Sequence, residues 1–102
     1  MAPLLDQHRE ALGKLAQGHR VLRLEVFGSV LTERFDPERS DIDFLVEFES
    51  MSPPDHADCY LGLLVALEDM FGRSVDLIEP GAIRNPFFKQ AISQSRQTLY
   101  AA

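Results

Sequence analysis

Hydrophobic and polar positions change period several times along this chain. Leu4, His8, Ala11, Leu12 and Leu15 recur at i, i+4, i+7, i+8 and i+11, one stripe of an amphipathic helix, with Gly18 as its terminator. Leu22, Leu24 and Val26 then alternate with Arg23, Glu25 and Phe27, the period of two expected for a strand. Gly28-Ser29 ends it. Residues 30–40 are polar around the turn signal Asp36-Pro37, and a short helix is predicted over about residues 29–34. The clearest strand is 41–48, with Ile42, Phe44, Val46 and Phe48 on one face and Asp41, Asp43, Leu45 and Glu47 on the other.

Ser52-Pro53-Pro54-Asp55 reads as a helix start: a Ser cap, Pro in the first turn and an acid at the positive end of the dipole. The helix running to Phe71 is apolar nearly all round, and Gly72 stops it. Residues 73–78 form a third strand, Val75 and Leu77 opposing Ser74, Asp76 and Ile78. Pro80-Gly81 breaks it, Asn85-Pro86 opens a last helix with Phe87, Phe88, Ala91 and Ile92, and 97–100 adds a short edge strand. The order predicts an α/β fold, a mixed sheet of three to four strands flanked by helices.

The chain has 102 residues, which suits one small domain, 1–102, and leaves little room for a separate substrate-binding domain. A net charge of −6 disfavours bulk nucleic-acid binding. Cys59 is the single cysteine, so no internal disulfide forms, and its apolar helical setting predicts a small core residue. The N-terminus shows no leader pattern and no apolar run approaches membrane-spanning length, so a soluble, cytoplasmic protein without membrane contact is expected.

Candidate chemistry concentrates in one conjunction: a greasy strand, Gly28-Ser29, an eleven-residue spacer, then Asp41-Ile42-Asp43 opening the next strand. Residues two apart on a strand share a face, so Asp41 and Asp43 aim side by side. Carboxylates held that close repel unless a cation lies between them, and magnesium carrying nucleotide phosphates suits oxygen donors. Asp76 sits on a later strand with apolar neighbours facing away. If the two strands adjoin, three carboxylates project together and can hold one or two metal ions. Gly28 lets backbone approach a phosphate, and Ser29 adds a hydroxyl donor. Taken singly, each feature is ordinary, since strand-initial acids and Gly-Ser turns are common. His8, His19 and His56 form no metal motif, and Tyr60 and Tyr100 read as packing residues.

Gly28-Ser29 through Asp41-Ile42-Asp43-Phe44-Leu45-Val46-Glu47-Phe48 resembles the signature of minimal nucleotidyltransferases of the polymerase-beta superfamily, and Val75-Asp76-Leu77-Ile78 resembles that family's third-carboxylate strand. The likeness runs from the first helix to Tyr100. It is nearest to the antitoxin type encoded beside a HEPN-domain toxin, whose members transfer AMP from ATP to a tyrosine of the toxin. The resemblance implies a polymerase-beta-like fold, ATP as substrate and magnesium as cofactor. It implies that Asp41 and Asp43 bind metal, that Asp76 completes the site and helps activate the acceptor, and that Gly28 and Ser29 hold the triphosphate. Two departures stand out. The spacer is one residue longer than is common, and Thr32 stands where the family often has Arg. Arg34 and Arg39 are candidates to replace it, although a solvated surface position is the simpler reading of each.

Two rival functions accompany this reading. The chain could neutralise its partner by occlusion without catalysis, or it could modify a small molecule, as antibiotic-modifying nucleotidyltransferases do, although those usually carry a second domain. The over-apolar helix at 55–71, or the segment with Phe87 and Phe88, predicts contact with another chain, either a second copy or the HEPN-type protein.

Overall fold

The computed structural model describes residues 3–31, 41–94 and 96–102. Two short helices, α1 (Pro3–Gln7) and α2 (Arg9–Gly18), precede β1 (Val21–Phe27) and a 3₁₀ turn at Gly28–Leu31. After the spacer come β2 (Ile42–Phe48), α3 (Pro53–Phe71), β3 (Val75–Ile78), a 3₁₀ turn at Pro80–Ala82, α4 (Pro86–Gln94) and β4 (Arg96–Ala101). The sheet order is β3-β2-β1-β4. β1 runs antiparallel to both its neighbours, and β2 and β3 are parallel, joined through α3. The sheet is therefore mixed, with four strands, as expected.

One face of the sheet carries the main core. Leu24, Val26, Ile42, Phe44, Val46, Val75 and Leu77 pack there against Leu5, Leu12 and Ala16 from the first helices and Leu63, Leu67 and Phe71 from α3. The local signals for α3 hold: Ser52 Oγ accepts from the Asp55 N–H, and Gly72 closes the helix in the left-handed region at φ 63°. Asn85 caps α4, its Oδ1 accepting from the N–H groups of Phe87 and Phe88.

Four expectations need correction. The first helix is broken at His8, whose backbone is not helical (φ −109°, ψ 7°), so the spacing does not continue across it. The buried residues are Leu5, Leu12 and Ala16, and Ala11 is exposed. Gly18 is the last helical residue and not the left-handed one, which is Arg20 (φ 58°). The His19 ring bonds the Leu15 carbonyl instead, satisfying part of the last turn. In β1 a register shift between Val21 and Arg23 buries Val21 and turns Leu22 out, 44% exposed. Finally, Cys59 is half-buried and not a full core residue: it continues the Leu63–Leu67–Phe71 stripe one turn toward the start of α3, where burial is incomplete. The helix predicted over about 29–34 begins as the 3₁₀ turn, and its remainder lies outside the described residues.

α3 buries one stripe only. Leu61 and Val65 are more than half exposed, as is Phe87 on α4, and Phe88 is 40% exposed. No helix among the described residues is long and apolar enough to cross a membrane.

Candidate active site

The opposite face of the sheet is built differently. Parallel pairing sets Asp43 directly beside Asp76, and antiparallel pairing sets Phe27 on the other side of Asp43. The alternation that drives Ile42, Phe44, Val75 and Leu77 into the core leaves these carboxylates no other direction. Asp43 is half-buried. Its carboxyl is pushed up from 3.8 to about 6, first by burial, then by a hydrogen bond with Asp76 and that group's charge, and last by the charge of Asp41. Asp41 is exposed, immediately before β2, whose first N–H (Ile42) reaches the Ser74 carbonyl.

Gly28 presses on Asp43. Its φ is +80°, and a Cβ built there would stand 2.5 Å from Asp43 Oδ2. No other residue fits, because any side chain would strain the backbone and displace the carboxylate. The strand β1 thus delivers its turn against the acid that β2 and β3 supply. Ser29 follows in the same 3₁₀ turn.

Two carboxyl groups hydrogen-bond to one another only by sharing a proton. A divalent cation with hard oxygen ligands is the natural replacement for that proton, and the donor set fits magnesium. Among the described residues no three His, Cys, Asp or Glu side chains are already gathered at ligating range. The structure therefore brings Asp43 and Asp76 together with Gly28 against them, and leaves Asp41 acting on Asp43 through its charge, short of the expected three-carboxylate cluster. Asp41 and Asp76 are exposed and Asp43 is half-buried; Asp41 stands just before the first residue of β2. Thr32, Arg34 and Arg39 lie outside the described residues.

The sequence reading missed Glu25. It counted as an alternating polar position, yet it is 4% exposed, with Oε1 3.3 Å from Arg23 Nε and Oε2 3.5 Å from Arg96 Nε. Phe27, Leu45, Ile83 and Ile92 form a small second core beside it. His56 is partly packed, its Nε2 2.6 Å from Glu79 Oε1 and its ring edge-on to Phe48. Tyr60 donates its O–H to the Leu77 carbonyl, a packing role, and burial foremost raises its phenol.

The model of the nucleotidyltransferase domain family matches residues 5–99. The chain belongs to that family. This nucleotidyltransferase is 35% identical over 91 residues to a Methanocaldococcus jannaschii relative named "putative protein adenylyltransferase", covering 89% of this chain and 86% of the relative. A solved structure described as a "putative minimal nucleotidyltransferase" is 32% identical, with a TM-score of 0.69 and 95% of each chain covered. A complex of a tri-AMPylated Shewanella oneidensis HEPN toxin with its MNT antitoxin matches at 18% identity and a TM-score of 0.58, covering 95% of this chain and 72% of that one. At that identity the last likeness is one of fold.

Proposed function

We propose that this nucleotidyltransferase transfers AMP from ATP to a hydroxyl of a protein partner, the tyrosine of a HEPN toxin, and so acts as its antitoxin. The observation that carries the reading is the Asp43–Asp76 pair lying against Gly28. It joins a carboxylate site to a glycine turn whose backbone can approach a phosphate. Support for a protein acceptor comes from the names of the relatives and from the exposed apolar residues Leu61, Val65 and Phe87, which suit a partner surface.

Asp41, Asp43 and Asp76 would hold magnesium, which when bound neutralises phosphate charge and draws the reacting oxygens together. Gly28 and Ser29 would hold the triphosphate. The acceptor oxygen forms a bond to the α-phosphorus while the bond from that phosphorus to the α,β-bridging oxygen breaks. Pyrophosphate leaves with the electron pair, and Asp76 would help activate the acceptor by taking its proton. Asp43 must be ionised for this arrangement, which the proton shared with Asp76 opposes and a cation favours.

The test is to incubate the protein with its neighbouring gene product, α-labelled ATP and magnesium. Label should appear on a tyrosine of the partner, and should be lost with a chelator. A stable complex that neutralises the partner without labelling it would instead establish occlusion.

A further inference from the structure

Glu25 takes no part in the chemistry above, and its burial calls for a reason. Burying a carboxylate between two guanidinium groups adds little stability over an apolar residue of similar size. The value of such an ion pair lies in where it holds its partners. Arg96 opens β4 and is the register partner of Phe27, which is in turn the partner of Asp43. At this level the sheet reads Arg96, Phe27, Asp43, Asp76 from one edge to the other, and the chain leaves Phe27 directly into the Gly28–Leu31 turn. Glu25 and Arg96 lie on the same face as the carboxylate pair, since Glu25 is two residues from Phe27. Glu25 takes the Nε edge of the guanidinium, and the Arg96 side chain remains 44% exposed.

A triphosphate on the Gly28-Ser29 turn would therefore have acids on one flank and Arg96 on the other. Charge makes that placement informative. The chain is net negative and the site holds the Asp43–Asp76 pair with the charge of Asp41 acting on it, so a polyphosphate needs a cation on the side away from them. A guanidinium fixed by one edge is suited to grip phosphate oxygens with the other. Arg96 also lines a cavity of about 230 Å³ with Leu45, Ile83, Ile92 and Lys89.

We propose that Arg96, oriented by Glu25, binds the β- and γ-phosphates of the nucleotide and supplies the contact missing at Thr32. The proposal rests on the nucleotidyltransferase reading of the site. Arg96 would touch substrate, and Glu25 would be a positioning residue acting through it.

The experiment measures magnesium-dependent binding of ATP, pyrophosphate and AMP by calorimetry, with melting temperature recorded for each variant. Arg96→Gln should weaken ATP and pyrophosphate by roughly ten- to a hundredfold and leave AMP within about twofold, because AMP lacks the contacted phosphates. Arg96→Lys should recover part of the loss. Glu25→Gln should weaken ATP several-fold with the same sparing of AMP. If Arg96→Gln does not fold, Arg96→Lys carries the comparison, with a smaller but still ATP-selective loss. Equal weakening of ATP and AMP would make Arg96 merely structural and overturn the proposal. So would unchanged ATP binding in Arg96→Gln, or an ATP-selective loss found in Arg34→Gln or Arg39→Gln instead. Failure of the wild-type protein to bind ATP at all would overturn the nucleotidyltransferase reading and this proposal with it.

Discussion

The two faces of the sheet use the same strands for opposite ends. On one, Leu24, Val26, Ile42, Phe44, Val46, Val75 and Leu77 are sealed by α2 and α3. On the other, residues one step along the same strands are Glu25, Asp43 and Asp76, crowded in a way that raises Asp43 and buries Glu25. The first face lowers the free energy of the fold by removing apolar surface from water. The second raises it, since like charges are held together and a charge is desolvated. A strand whose alternation is enforced by a core is a rigid platform for groups that would otherwise move apart. The stable face makes the strained face possible.

The sharpest way to break this comparison is to change one residue on each face. Asp43→Asn should lower nucleotidyl transfer by at least about a thousandfold, measured with α-labelled ATP, since it removes a metal-holding charge while keeping its shape. Phe44→Ala, one residue along and 0% exposed, should instead cost about 3–5 kcal/mol in denaturant unfolding, with activity per folded molecule retained. Were Phe44→Ala to lose activity without losing stability, the division of labour between faces would be wrong.

Gly28→Ala comes next. A Cβ there meets Asp43 Oδ2, so it should cost about a hundredfold in transfer rate by displacing that carboxylate, with a much smaller shift in melting temperature. Full activity in this variant would show that Gly28 does not set the geometry of Asp43.

A smaller effect concerns stability against pH. The Asp43 carboxyl titrates at about 6 in the folded protein against 3.8 ordinarily. Between those values the folded form keeps a proton that the unfolded chain releases, so the destabilisation contributed by this group is absent at low pH and grows as pH rises through that window. Asp43→Asn removes the penalty and should stabilise the metal-free protein by about 1–2 kcal/mol near neutrality, after allowance for solvent screening. The gain over wild type should disappear as pH falls below 3.8, read from melting curves across the range. Added magnesium should stabilise wild type and not the variant. The smallest effect is Ser52→Ala, on the helix covering the apolar face. It should cost about 1 kcal/mol and leave transfer unchanged, a control for stability loss remote from the site.

Much was legible in the sequence because it depends on neighbours in the chain. The alternation at 42–48 and 75–78, the Ser52 and Asn85 caps and the Gly72 stop are local rules, and each appears where expected. That Asp43 and Asp76 each point away from the apolar face of their own strand was likewise visible, since strand period alone assigns it. Three things were decided only by tertiary structure. Whether Asp76 stands beside Asp43 depends on β2 and β3 being paired in that register, which no local spacing specifies. Leu22 is turned out by a β1 bulge that arises between strands. Glu25 looked like a solvated strand position until Arg23 on its own strand and Arg96, 71 residues later in the chain, enclosed it. Periodicity tells which way a side chain points; which partner waits there is set by long-range pairing, because the free energy of a buried charge depends on groups that only the folded chain brings near.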